Sequence, residues 1–322
     1  MHLEHILKIA TMKTKAKGYL LGAVASATYG MSPLFALPLY HDGMGPDSVL
    51  FFRYLFAILI VGLMLIARGH RLGIERSQLL PLALLGFLMA LSSLSLFESF
   101  NQMAAGIACT ILFVYPMMVA VLMALFYHER ITWQTALCIL MALVGIGLLY
   151  KTTEGEALSL AGTLLALGSA LSYAIYIVGV NRPTFKSIPT LKLTFYVLLF
   201  GLLLFLVRLD FGMAIRTPGH LYHWFNLLAL ALFPTAISFF CTTAAIQYIG
   251  STPTAILGAL EPLTALFFGV VVFHERLTTR EGLGVAIIIL AVTLVIAGNE
   301  VPALLLRLRK MFPRIRQRGE KS

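Results

Sequence analysis

Glu261 and Pro262 sit nine residues into an apolar stretch spanning 252–273, and Arg53 and Glu98 interrupt two other such stretches. An ionisable side chain in that setting costs about 3 kcal/mol and marks a functional position by default. A carboxyl group can hold the cationic end of a solute, carry a proton, or stay neutral and pack. The proline after Glu261 loosens its helix and frees backbone carbonyls for a ligand. An arginine offers a planar fork that suits a carboxylate. At 1.5 Å per residue, Glu261 lies ~13 Å deep, near the middle of a ~30 Å hydrocarbon core. Arg53 is six residues past Asp47, ~9 Å from the end of its stretch, and Glu98 is close to that same end. These two either pair, holding their stretches together, or meet a solute.

Polar residues at helical spacing could line a cavity with Glu261. They are Ser26, Tyr29 and Pro33 in one stretch and Ser169, Tyr173 and Tyr176 in another, with Ser92, Ser95, Ser99 and Gln102, and Thr235, Ser238 and Thr242, in two more. Small hydroxyl residues also serve helix packing in membranes, so no single Ser or Thr decides the matter.

The elements that carry these residues follow from composition. Of 322 residues, 59% are hydrophobic and 12% charged, with a mean hydropathy of +0.90; a soluble domain carries about 25% charged residues. The apolar residues fall into ten blocks of membrane-spanning length: 18–40, 47–67, 77–100, 106–127, 131–150, 160–181, 189–207, 222–248, 252–273 and 280–298. The chain therefore reads as an all-α integral membrane protein. "AVASA" (Ala23 to Ala27) imitates a signal-peptidase site, but the apolar run continues to Tyr40, so the segment is a retained span. Thr252 before Pro253, and Thr278 with Glu281, give capping signals for the last two spans.

With a cytoplasmic N-terminus, eighteen Lys and Arg fall in inside segments and five outside, Arg53 being left within a span. That bias places both termini in the cytoplasm, and it accounts for the net charge of +10 without a nucleic-acid partner. The basic tail, 299–322, can rest on anionic lipid.

The chain repeats itself. "YHERIT" (Tyr127 to Thr132) returns as "FHERLT" (Phe273 to Thr278), 146 residues later; the same offset carries Pro116 onto Pro262. Near the front, "GYLLGAVASATYG" lies over "GTLLALGSALSYA", pairing Gly18 with Gly162 and Tyr29 with Tyr173. After a 1–17 segment, the halves are 18–150 (spans 1–5) and 160–298 (spans 6–10). Five is odd, so the second half enters the membrane inverted and the two His-Glu-Arg copies face opposite compartments. They serve as span ends rather than as one composite site. Inverted halves point to alternating access about a midplane site.

Two sequences closing the fourth helix of each half, "YPMMVAVLMALFYHERIT" and "EPLTALFFGVVVFHERLT", and the Gly-rich helices after them resemble the EamA branch of the drug/metabolite transporter superfamily. The resemblance covers about residues 18–298. It implies a multi-pass cytoplasmic (inner) membrane protein that exports amino acids or other small metabolites; more distant branches carry sugar nucleotides or lipid-linked sugars.

Other chemistries find no purchase in the sequence. The eight histidines lie in the N-terminal segment, in loops or at span ends; no Gly-x-Ser-x-Gly or Walker sequence occurs, and Cys109, Cys138 and Cys241 lie unpaired in apolar segments. His220 and His223 have metal-ligand spacing without a further ligand nearby in sequence. The expectation is a carrier, not an enzyme, with no cofactor and no metal. Its partners are a small-molecule solute and the lipid bilayer; coupling is open, with either a proton exchanged at Glu261 or uncoupled, facilitated passage. The candidate solute contacts are Glu261, Tyr29, Tyr173, Tyr176, Ser26, Ser169, Ser238, Glu98 and Arg53. A lipid-linked sugar flippase or a membrane scaffold is the alternative.

Overall fold

The computed structural model describes residues 2–69, 72–127, 159–186, 188–258 and 260–274, with shorter stretches between 133 and 148 and between 278 and 294. Among the described residues there is no strand. Helices α1 (His2–Tyr29), α2 (Ser32–His41), α3 (Pro46–Ala67), α4 (Arg76–Ser99), α5 (Ala105–Leu112) and α6 (Tyr115–Tyr127) form the first half. Helices α7 (Leu160–Val180), α8 (Thr190–Arg208), α9 (Leu221–Ala231), α10 (Ser238–Ile249), α11 (Ser251–Leu257) and α12 (Leu260–Val271) form the second.

Eight helical stretches are long and apolar enough to cross a membrane, and a shorter apolar helix covers Gly282–Ala291. Their ends fall within three residues of the expected spans 1–4 and 6–9. Most of span 5, both His-Glu-Arg triplets apart from His274, Glu281 of the expected capping box, Cys138 and the basic tail lie outside the described residues. The expected start at Thr252 needs correction. The helix begins at Ser251, after Gly250 turns the chain at φ 88°, and the Ser251 hydroxyl donates to the Ile177 carbonyl.

Four spans are not straight, and prolines explain each departure because they lack the N–H that closes the preceding turn. Span 1 breaks at Gly30 and Met31, with Pro33 opening α2. Span 4 breaks at Phe113 and Val114 before Pro116, and span 9 breaks after Leu257, just before Glu261 and Pro262. Span 8 holds a π-helical turn, Leu232–Ile237, around Pro234. Such turns leave carbonyls free for other donors.

Packing brings these irregularities together. Helix α4 lies along α7, α1 along α10, and α8 against α3 and α4. Spans 4 and 9 meet reciprocally: α5 packs on α12 and α6 on α11. The first piece of each thus meets the second piece of the other, as two rods crossing in opposite directions do. Their breaks coincide where they cross.

Candidate functional site

At that crossing the Tyr115 hydroxyl donates to Glu261 Oε1 at 3.1 Å, and both side chains are buried. The two residues are 146 positions apart, the offset of the repeat itself, and each directly precedes a matched proline. Gly258 makes the contact possible: a Cβ there would lie 1.7 Å from the Tyr115 hydroxyl oxygen. Gly30 has the same role on the facing side, where a Cβ would fall 2.4 Å from the Glu261 carbonyl oxygen. No larger residue lets the end of α1 approach the break in span 9 so closely.

From Tyr115 a tyrosine wall continues. Its ring meets Tyr173 edge-on, with centroids 4.6 Å apart. Tyr173 stacks on Tyr29 at 6.0 Å and on Tyr176 at 6.1 Å, interplanar angles being 11° and 9°. Tyr29 and Tyr173 are themselves repeat partners, so both equivalent pairs meet in the middle of the protein.

Arg53 closes the other side of the wall. It is fully buried, its guanidinium stands 5.6 Å from the Tyr29 centroid and 5.1 Å from that of Phe97, and Phe239 adds a third ring. Rings flanking a cation in this way stabilise it. Its Nε donates to Thr235 Oγ1 at 2.5 Å and its Nη2 to the Pro234 carbonyl at 3.0 Å, so the arginine takes acceptors that the π-helical turn exposes. Among the described residues, two buried side-chain polar atoms lack a hydrogen-bond partner: Arg53 Nη1 and Glu261 Oε2.

The structure thus gathers Arg53, Tyr29, Tyr173, Tyr176 and Glu261 into one cluster, with Ser26 and Ser238 buried on the same helices as Tyr29 and Phe239. Two candidates fall elsewhere. Ser169 donates to the Ser92 carbonyl at 2.7 Å and shares a hydroxyl bond with it, tying α7 to α4. Glu98 sits at the end of α4 with its side chain 32% exposed, 3.7 Å from Arg208. The expected Arg53–Glu98 pair therefore does not form. Arg53 points inward to the π-helical turn, while Glu98, at the helix end, meets Asn101 and Arg208. Arg208 is held chiefly by both oxygens of Asp47, at 2.6 and 3.1 Å. His223 bonds Asp42 at 2.7 Å and packs on His220; among the described residues no three metal-ligating side chains converge.

Sequence reasoning missed Tyr115, Phe97 and Gly258, whereas Thr235, one of the polar residues expected to line the cavity from span 8, is found bonded to Arg53. Tyr115 was within reach, because the offset that aligns Pro116 with Pro262 also aligns Tyr115 with Glu261. Phe97 and Gly258 carry no comparable signal.

The EamA-like transporter family matches residues 16–151 and again 160–297. The chain belongs to that family. Both EamA repeats are thereby present, and the protein is a multi-pass membrane transporter. An uncharacterized transporter of Archaeoglobus fulgidus is 29% identical over 250 residues, 76% of this chain and 84% of that one. The threonine/homoserine exporter RhtA of Escherichia coli K12 is 27% identical over 280 residues, 84% of this chain and 88% of its own. One solved structure, titled only as a crystal structure of a protein, matches with a TM-score of 0.65 at 16% identity. It covers 92% of this chain and 99% of that chain, which shows a shared fold.

Proposed function

We propose that this EamA transporter exports a small zwitterionic metabolite, an amino acid of the threonine class, by alternating access. One observation carries the reading: a buried guanidinium N–H and a buried carboxyl oxygen, both without partners, face a wall of tyrosines. Polar groups in a low-dielectric interior are costly when unsatisfied. An α-amino acid supplies both complements, its carboxylate for Arg53 Nη1 and its ammonium for Glu261 Oε2, while the Tyr29–Tyr173 faces receive the Cα side. The relative named as a threonine/homoserine exporter supports the same class of solute. Glu261 is also the group that can exchange a proton.

The ten spans lie in two inverted halves, 18–150 and 160–298, in the cytoplasmic membrane with both termini inside. The reciprocal packing of spans 4 and 9 and the charge bias support this arrangement. Reporter fusions should place Arg130 and Lys186 inside, and Lys151 and Arg276 outside; His-Glu-Arg copies reporting from one compartment would overturn the inversion.

A flippase would use a groove open to lipid. An apolar one of about 310 Å³ does lie between α4, α6 and α7, with Arg182 as its only charged lining residue among the described residues. Arg53 and Glu261, with the two partnerless atoms, are not on it, so the carrier reading stands first. Threonine binding to purified protein tests it: wild type should bind, with Arg53→Gln and Glu261→Gln each weakening binding at least tenfold. Unchanged binding in both variants would remove this site from solute recognition.

A further inference from the structure

At one end of the bundle the turn between α2 and α3 opens a recess of about 440 Å³, lined by Tyr40, Asp47, Asn101, Arg208 and Arg216 among others. Two of its charges are spent on each other, since Arg208 grips Asp47. Arg216 differs: its Nη1 donates only to the Gly43 carbonyl, at 2.6 Å, and it makes no ion pair among the described residues. The recess therefore holds a guanidinium free to meet an anion, beside the amide of Asn101.

Its inner wall leads to the site already described. The Tyr40 ring lines the recess and stands edge-on to Phe97, centroids 6.4 Å apart, while its hydroxyl donates to the Phe97 carbonyl at 3.2 Å. Phe97 is fully buried, and its ring is the one closest to the Arg53 guanidinium. Recess, Tyr40, Phe97 and Arg53 thus lie in sequence. The Tyr40–Phe97 pair separates a polar recess from the buried cluster; one hydrogen bond and one ring contact join the two, and Phe97 also packs on Phe100, centroids 5.3 Å apart. The half-buried Tyr40 is the member that can turn out toward the recess, while the fully buried Phe97 stays packed against Phe100 and Arg53.

We propose that this recess is the outer station of the transport path, that Arg216 receives the solute's carboxylate there, and that Tyr40 and Phe97 form the door to Arg53. The inference rests on the carrier reading for its solute, but the route can be tested without any solute. In a background with all three native cysteines replaced by serine, Asn101→Cys reports the recess. Ala57→Cys reports the interior; it is fully buried one helical turn beyond Arg53 on α3. Membrane-impermeant methanethiosulfonates are applied to sealed vesicles from the side on which Asn101→Cys reacts.

The expected result is that Ala57→Cys reacts slowly with the door intact and at least tenfold faster with Tyr40→Ala or Phe97→Ala. Thermal unfolding of detergent-purified protein shows that each variant is folded; Tyr40→Ala, being partly exposed, serves if Phe97→Ala misfolds. An unchanged Ala57→Cys rate in a folded Tyr40→Ala protein overturns the door. For Arg216, the sulfonate-bearing reagent should modify Asn101→Cys faster than the trimethylammonium reagent, and Arg216→Gln should lower that preference at least threefold. An unchanged ratio overturns the anion station. Failure of threonine to bind wild-type protein would instead defeat the amino-acid reading, with both reagent experiments still decisive for the route.

Discussion

Two groups of charges occupy the same bundle in opposite ways. At the α2–α3 end, Asp47, Glu98 and Arg208 are partly exposed and satisfied by one another. In the interior, Arg53 and Glu261 are buried, each left with one polar atom unpaired. Exposed ion pairs contribute ~0–1 kcal/mol because water competes for both partners. A buried charge that loses its counterpart costs several kcal/mol. The exposed cluster is therefore expected to tolerate substitution, whereas the two buried groups keep their polar atoms from water at a free-energy cost.

Glu261→Gln gives the sharpest break. The amide keeps size and hydrogen bonding but removes charge and titration. Flux in vesicles, normalised to protein amount, should fall about a hundredfold, ~2.7 kcal/mol. Glu261→Asp should retain part of it with an altered pH dependence. A Gln variant matching wild type at every pH would place Glu261 with the packing residues instead.

Gly258→Ala comes next. The new methyl group collides with the Tyr115 hydroxyl, so Tyr115 must leave Glu261 or the break must shift. We expect flux to fall about tenfold. Tyr115→Phe alone should cost less, about fivefold, since only one hydrogen bond of ~1 kcal/mol is lost. Tyr115→Phe should also relieve Gly258→Ala by making room, and failure of that rescue in the double variant would show that the glycine serves the backbone break alone.

The outer cluster should respond least. Asp47→Asn should change thermal stability by under about 1 kcal/mol, and by less still at high salt. Combining Glu98→Gln with Arg53→Gln should give additive losses, because the two side chains are not in contact. A coupling energy above about 0.5 kcal/mol between them would contradict the separation of the two regions.

Much of this protein was legible in its sequence, because hydrocarbon imposes simple rules. A span needs about twenty apolar residues and closes its own backbone hydrogen bonds, so length and composition alone located spans 1–4 and 6–9 to within three residues. The repeat was equally plain, and Glu261 stood out because a carboxylate in an apolar stretch has no cheap explanation. Lateral contacts are another matter. Arg53 and Glu98 are both near the same end of adjacent spans, and Coulomb attraction argued for pairing them. The tertiary structure decided otherwise: the π-helical turn at Pro234 opens two acceptors toward Arg53, and Arg208, supplied by another helix, meets Glu98. Which side chains meet depends on how helices are rotated and where they bend, which hydropathy does not record. Likewise Tyr115 reaches Glu261 only because the breaks in spans 4 and 9 coincide where they cross, and because residue 258 has no side chain to stand in the way.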